Sequence, residues 1–243
     1  MAGKSIFIDT TKCTACRGCQ MACKNWNQNA ASQTKNTGSH QNPPDLDGNT
    51  FKLVRFSEVE DNGKVAWYFF ADQCRHCLEP PCKDAIEGYV SEAVIKDEAT
   101  GAIFYTPKAK EAPFDEVKTS CPYDIPRKAA DGRIVKCTMC IDRVSNGLIP
   151  ACVKVCPTGA MNFGERDAIL AMAQARVEQL KGTYPKAKIL DADQVRVIFL
   201  VVDDPRKYHK NAVASLDPAP DRRLARRQLL KPLGDLVRIV SSV

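Results

Sequence analysis

The spacing of the cysteines constrains this chain more than any other feature. Its 243 residues include 12 cysteines, about 5% of the chain, which is below the density of disulfide scaffolds. The first group has the pattern Cys-x2-Cys-x2-Cys-x3-Cys, and the later ones repeat parts of it. The groups are Cys13, Cys16, Cys19 and Cys23; Cys74, Cys77 and Cys82; Cys121 alone; and Cys137, Cys140, Cys152 and Cys156.

Three chemistries use clustered cysteines, and the spacing separates them. Disulfides favour small secreted domains, and four cysteines this close in sequence pair poorly with one another. Zinc takes two Cys-x2-Cys pairs separated by a loop, which the later groups could supply but the first does not resemble. Iron–sulfur ligation explains the first group directly, because one tight loop supplies three thiolates and a fourth cysteine reaches a second cluster. The pattern predicts [4Fe–4S] clusters, with a zinc-binding module as the alternative.

The crossing rule of two-cluster ferredoxins assigns every cysteine when the outer motifs pair with each other and the inner motifs do the same. A fourth site would need ligands at Ile86, Glu111, Phe114 and Val117, none of which is cysteine. We therefore predict three clusters, with apolar side chains in place of a fourth. The predicted ligands are Cys13, Cys16, Cys19 and Cys156 (site A); Cys23, Cys137, Cys140 and Cys152 (site B); and Cys74, Cys77, Cys82 and Cys121 (site C).

Four such motifs in the order outer, inner, inner, outer resemble a known family. They are similar to the iron–sulfur electron-transfer subunits of molybdenum/tungsten oxidoreductases, which include the beta subunits of formate dehydrogenase and of dimethyl-sulfoxide, polysulfide and nitrate reductases. The resemblance covers about residues 5–165. It rests on Cys13-Thr-Ala-Cys-Arg-Gly-Cys-Gln-Met-Ala-Cys-Lys-Asn-Trp-Asn, Cys74-Arg-His-Cys-Leu-Glu-Pro-Pro-Cys, Lys136-Cys-Thr-Met-Cys-Ile-Asp-Arg and Ala151-Cys-Val-Lys-Val-Cys-Pro-Thr-Gly-Ala.

Within that family, two features resemble the three-cluster soluble formate dehydrogenases of sulfate-reducing bacteria. One is the three-cluster pattern, and the other is the Lys24-Asn-Trp-Asn-Gln run with an insert that reaches Gln41-Asn-Pro-Pro-Asp-Leu. The resemblance implies a non-catalytic subunit in a heterodimer. It would relay electrons from a large molybdopterin subunit, which oxidises formate to CO2, to a soluble multihaem cytochrome c. Molybdenum or tungsten would belong to the partner alone. A different molybdopterin partner, such as a dimethyl-sulfoxide, polysulfide or thiosulfate reductase, is the alternative.

The expected fold class is α+β, with two interleaved bacterial-ferredoxin-like units of which one has a vacant cluster site. Residues 1–60 and 126–165 would form the outer unit, with two clusters and a polar insert at 26–50. Residues 61–125 would form the inner unit, with one cluster. Residues 166–243 would add a helix, a strand and a basic tail.

Local patterns predict several elements. Strands are expected at 4–9, 101–106 and 194–202, a hairpin around Asp61-Asn62-Gly63, and an amphipathic helix over 166–180. The longest apolar run, Val197–Val202, is too short to span a membrane, and the first twenty residues do not resemble a signal peptide. The resemblance therefore implies export to the periplasm together with the partner, with the cytoplasm as the alternative.

Charge gives weaker indications. The net charge of +6 comes from residues 206–243, which have 9 basic and 3 acidic residues. That tail could contact an acidic partner or be a solvated helix face, and no nucleic-acid motif accompanies it. Five cations flank predicted ligands and could raise cluster potentials or be ordinary surface charges, namely Arg17, Lys24, Arg75, Lys83 and Lys136. His76, between two ligands, could bond to a sulfur, face a partner or be structural.

Overall fold

A computed structural model describes residues 3–36, 38–61 and 63–214. Most of the basic tail, whose sequence has a helical pattern of basic residues from about residue 222, lies outside these ranges. In the described residues the strands are β1 (Lys4–Asp9), β2 (Leu53–Asp61), β3 (Lys64–Asp72), β4 (Val94–Lys96), β5 (Ile103–Tyr105), β6 (Arg127–Lys128), β7 (Ile134–Val135), β8 (Met161–Glu165), β9 (Lys188–Leu190) and β10 (Val197–Val201). The α-helices are α1 (Gly18–Trp26), α2 (Pro81–Glu87), α3 (Phe114–Ser120), α4 (Ile141–Val144), α5 (Ala151–Lys154), α6 (Arg166–Leu180) and α7 (Pro205–Tyr208).

A four-stranded sheet in the order β8–β1–β10–β9 forms the framework. Strand β1 runs parallel to β10 and antiparallel to β8. All five residues of β10 are buried, as expected for a continuous apolar strand covered on both faces. Helix α6 packs Ile169 and Ala173 on one face, against Phe7 and Ile198. The predicted first strand, the 166–180 helix with its role in the core, and the buried strand are confirmed.

The predicted hairpin is also confirmed, as β2 and β3 pair antiparallel from Leu53–Asp72 to Asp61–Lys64. Its base packs against the other face of the sheet, where the rings of Phe70 and Phe199 stack with centroids 4.1 Å apart. This contact holds the hairpin base beside Ile6 and Ile8 of β1 in one apolar cluster.

Two pairs of short helices contain or adjoin cysteines of the four motifs. Helix α1 packs on α5, and helix α2 packs on α3. Each pair accompanies an antiparallel strand pair, β1–β8 for the first and β4–β5 for the second. Proline stands at the first position of α2, where its missing N–H leaves no helical hydrogen bond unmade. The second of these strand pairs contains the short strand expected at 101–106.

After Trp26, where α1 ends, the described residues of the polar insert at 26–50 form no helix or extended strand, as the turn-rich sequence indicates. Hydrogen bonds nevertheless fix it to the body of the protein. Lys24 donates to the Asn49 carbonyl at 2.8 Å, and the Gln20 amide donates to the Asn42 carbonyl at 2.8 Å. Asp45 accepts from both Arg55 and Arg127. The insert is therefore a surface segment with a defined path.

The fold is mixed α and β. Residues up to Val213 form one unit by their mutual contacts. Strand β10 pairs directly with β1, so part of the segment 166–243 shares a sheet with the strand assigned to the outer unit. The division into outer and inner ferredoxin-like units stays a prediction.

Candidate metal centres

Three cavities are each lined by four cysteines, and each set of four is one of the predicted ligand sets. The empty space at these sites, open solvent included, is about 370 Å³ at site A, 350 Å³ at site C and 310 Å³ at site B. Their similar size is consistent with one kind of occupant. The thiols are Cys13, Cys16, Cys19 and Cys156 at site A; Cys23, Cys137, Cys140 and Cys152 at site B; and Cys74, Cys77, Cys82 and Cys121 at site C.

Two cysteine pairs with a four-residue spacing connect sites A and B. Cys19 and Cys23 both lie on α1, four residues apart, so they share one helix face about 6 Å apart along the axis. Cys152 lies on α5, and Cys156 follows it by the same spacing. Because α1 packs on α5, the two steps run side by side. The Cys-x3-Cys spacing is thus what places neighbouring cysteines at different sites.

Three of the four Cys-x2-Cys loops, those that begin at Cys13, Cys74 and Cys137, share a backbone conformation that the sequence did not reveal. The residue before the second cysteine has a positive φ in each loop, at Ala15 (54°), His76 (48°) and Met139 (59°). Such a conformation costs a non-glycine residue about 1–3 kcal/mol and concentrates at functional sites. Here it directs the N–H of that residue to the first thiol of the loop, at 3.4 Å for both Cys74 and Cys137. The N–H of Ala15 likewise bonds to Cys13.

Burial strongly disfavours free thiolates at these sites. It raises the pKa of Cys137 and of Cys121 to about 12, and of Cys140 and Cys152 to about 11. At Cys23 the pKa rises well above its usual range for the same reason, and nearby thiols add to the shift. Thiolates held this way need a compensating positive charge, which bound metal supplies. The donor sets therefore fit a thiolate-ligated metal group.

Site A is closer to the surface than site B. Cys16 is exposed, whereas all four cysteines of site B are buried. Burial opposes ionisation of Cys156, but hydrogen bonds from Thr158 and from the backbone N–H groups of Met161 and Ala160 outweigh it and lower the pKa of this thiol. A group held at site A would thus be accessible from outside the chain.

The five cations that flank predicted ligands have three different environments in the structure. Arg75 and Lys136 are buried at site C. Lys83 pairs with Glu87 on the outside of α2. The remaining two bind carbonyls of the insert, since Arg17 donates to His40 and Lys24 to Asn49.

Two further side chains complete the polar surroundings of the sites. His76 is fully buried, and its Nδ1 accepts a hydrogen bond from the Ile103 N–H at 3.0 Å. Burial, with Lys136 and Arg196 nearby, holds the pKa of His76 well below its usual range. The sequence reasoning missed Lys52, which is 1% exposed and lines site B. No signal marks it, because it is far from every cysteine along the chain.

The four non-cysteine positions of the inner motifs form no thiol-lined site. Ile86 and Val117 are fully buried in one apolar cluster, against which Phe114 packs from a partly buried position. Glu111 is exposed at the end of a 3-10 turn, Pro107–Glu111. The predicted packing of the three apolar side chains is present.

Among residues 3–36, 38–61 and 63–214, no three Cys, His, Asp or Glu side chains converge closely enough to hold one metal ion. The four thiols that line each cavity match the four cysteine ligands of a [4Fe–4S] cluster. No helix within these same ranges has the length and apolar character needed to cross a bilayer.

Comparison with known proteins agrees with this chemistry. Residues 65–166 match a family model described as a 4Fe-4S dicluster domain. The formate dehydrogenase subunit beta of Megalodesulfovibrio gigas is 54% identical over 213 residues, covering 87% of this chain and 99% of that protein. The formate dehydrogenase 2 subunit beta (cytochrome c-553) of Nitratidesulfovibrio vulgaris is 51% identical over 214 residues, 86% of this chain and 98% of that one. The formate dehydrogenase-O iron–sulfur subunit of Escherichia coli is 38% identical over 211 residues, which cover 84% of this chain and 69% of that protein.

The thiol-lined sites and the matched domain define an electron-transfer protein of the [4Fe–4S] class. The alignments cover at least 84% of this chain and at least 69% of each relative at these identities. The chain therefore belongs to the family of formate dehydrogenase beta, or iron–sulfur, subunits. As a member of this family it is an electron-transfer subunit and not itself the catalytic one.

Proposed function

We propose that this chain holds three [4Fe–4S] clusters and relays electrons, from a molybdopterin subunit that oxidises formate to CO2, to a soluble multihaem cytochrome c. The observation that carries the proposal is the convergence of all twelve cysteines in sets of four on three cavities. When bound, each cluster supplies one-electron redox chemistry. The chain's own residues hold the iron, exclude water and set the electrostatic surroundings.

The order of the sites supports a relay. Site B adjoins site A through the cysteine pairs of α1 and α5. It adjoins site C through Cys137 and Cys74, whose thiols lie close enough to interact electrostatically. Site B is therefore central, and sites A and C are the ends. The position that would take a fourth cluster adjoins the end at site C, since Ile103 both lines site C and packs in the apolar cluster with Ile86 and Val117. Loss of a terminal cluster leaves a relay continuous.

The acceptor and the compartment form the second part of the proposal. One relative has cytochrome c-553 in its name, which supports a c-type cytochrome as the acceptor. We place the complex in the periplasm, with this chain exported together with its partner. Cell fractionation with an antibody to the chain tests this, and recovery with cytoplasmic markers would overturn it.

Metal analysis of anaerobically isolated protein, with identification of the co-purifying large chain, tests the cluster number and the partner. We expect about twelve iron and twelve acid-labile sulfide per chain, and formate-dependent reduction of an added cytochrome c. About sixteen iron in this chain would show that the inner apolar site does hold a cluster. Little iron with stoichiometric zinc would overturn the electron-transfer proposal. A large chain that reduces sulfoxides or polysulfide would replace formate as the substrate.

A further inference from the structure

Each gap between successive cluster sites contains one buried lysine. Lys52 is 1% exposed and Lys136 is 5% exposed. Burying an ammonium group is costly unless negative charge and hydrogen-bond acceptors surround it. A buried ammonium group between sites A and B, and another between sites B and C, therefore call for a functional explanation.

Lys52 lies between sites A and B. It lines the site B cavity itself. Its ammonium donates to the Ala71 carbonyl at 3.2 Å and to the side chain of Gln73. Ala71 lines site A, whereas Gln73 lines site B. The Lys52 ammonium also lies within electrostatic range of the thiols of Cys19 at site A and Cys152 at site B.

Lys136 has the corresponding place between sites B and C. It precedes Cys137, a site B thiol, and its ammonium donates to the Cys137 carbonyl at 3.3 Å. It also donates to the Ile103 carbonyl and lies 4.8 Å from the centroid of the Tyr105 ring. Both of these residues line site C, as does Lys136. The charge is thus fixed by partners that belong to both sites.

We propose that Lys52 and Lys136 are electrostatic positioning residues, each raising the reduction potentials of the two clusters on either side of it. This inference rests on the proposed function. A reduced cluster is more negative than an oxidised one, so a fixed cation favours reduction, and Coulomb energy decreases with distance. The central cluster would be affected by both lysines, and each terminal cluster by one.

The two lysines predict a crossed result when replaced by glutamine, which retains polarity and removes the charge. In Lys52→Gln, the potentials at sites A and B should fall while site C is unchanged. In Lys136→Gln, those at sites B and C should fall while site A is unchanged. We expect at least a tenfold change in each affected reduction equilibrium, which is about 59 mV for one electron.

Potentiometric reduction monitored by electron paramagnetic resonance, on the anaerobically isolated complex with the full chain, measures these shifts. Lys83→Gln is the matched control, since Lys83 is adjacent to Cys82 but pairs with Glu87, and its three potentials should stay unchanged. Lys52→Arg and Lys136→Arg retain the charge and should preserve the wild-type potentials. If the same cluster pair moves in both glutamine variants, or all three clusters move equally, the inference is wrong.

Iron content separates failure of this inference from failure of the proposed function. Wild-type protein without [4Fe–4S] signals would overturn the proposed function and the inference with it. Three wild-type reduction steps that neither glutamine substitution moves would overturn the inference alone. If a glutamine variant loses iron, the arginine variant decides. Retained iron with wild-type potentials supports a requirement for charge, and loss of iron in the arginine variant shows that side-chain shape is required instead.

Discussion

The two helix pairs place residues at matching positions but fill them differently. In α1 and α5, the positions four residues apart are Cys19 with Cys23 and Cys152 with Cys156, and all four line cavities. In α2 and α3, the corresponding pairs are Cys82 with Ile86 and Val117 with Cys121. There the two cysteines line site C, while Ile86 and Val117 pack together in an apolar cluster.

The difference shows that a pair of short helices can enclose either a thiol-lined cavity or an apolar cluster. Most of the thiols around the cavities have raised pKa values, and their sets of four fit a bound metal group. Apolar side chains at the equivalent positions close on one another, and their burial stabilises the fold without any metal. The outer region should therefore depend on iron for its structure, and the inner apolar cluster should not.

Removal of iron tests this contrast with the largest expected effect. After anaerobic chelation, we expect hydrogen exchange to become fast in residues 13–23 and 137–156, since metal binding to such sites is coupled to folding. The segment 86–117 should retain slower exchange, because its core is apolar. Exchange measured by mass spectrometry on holo and apo protein provides the comparison. Equal loss of protection in both segments would show that the inner cluster has no stability of its own.

Buried charge is a third kind of interior, and it lies next to site C. Asp72 accepts hydrogen bonds from Arg55 Nε at 2.8 Å and from Arg75 Nη1 at 3.1 Å, with the carboxylate 1% exposed. Asp72→Asn removes the carboxylate that pairs with Arg75 and leaves Arg55 with Asp45 alone, so we expect a loss of about 3–5 kcal/mol in the free energy of unfolding. Anaerobic urea unfolding followed by circular dichroism measures it.

Asp131→Asn is the matched control for this substitution. Asp131 pairs with Arg133 where both side chains are more than half exposed, so no measurable change is expected. Iron content should stay at the wild-type value in both variants. If Asp72→Asn behaves like the control, buried charge does not contribute as a separate kind of interior.

The sequence predicted which four cysteines line each cavity, because motif spacing is local and the crossing rule connects the motifs. That these cysteines are cluster ligands stays a prediction. The sequence also predicted the hairpin and helix α6, whose patterns lie within single segments. It could not predict the pairing of β10 with β1, which joins residues almost two hundred positions apart. The position of Lys52 between two sites could not be predicted for the same reason, since it depends on how the hairpin packs. The positive φ of Ala15, His76 and Met139 is set by the loop and not by residue type.

The pH dependence of stability tests the same buried charged group, because His209 lies beside Asp72 and its two arginines. Burial lowers the pKa of His209 to about 4 from 6.5; Asp72 partly opposes this shift, and Arg55 and Arg75 add to it. Between pH 6.5 and about 4, the unfolded chain therefore binds a proton that the folded chain does not, and stability falls as pH decreases. His209→Gln should flatten this dependence between pH 7.5 and 5, measured as the thermal midpoint of iron-loaded protein. Equal slopes in the two proteins would show that His209 titrates normally.

The mildest test removes one methyl group from the apolar side of the comparison. Ile86 is fully buried beside Val117, so Ile86→Val should lower the free energy of unfolding by about 0.5–1.5 kcal/mol. Iron per chain should stay unchanged, because Ile86 lies in the apolar cluster while Cys82, on the same helix, lines site C. Anaerobic urea unfolding and iron analysis measure the two quantities together. Lost iron would mean that site C and the apolar cluster form one cooperative interior, and the contrast between thiol-lined and apolar interiors would then fail at α2, which contains both Cys82 and Ile86.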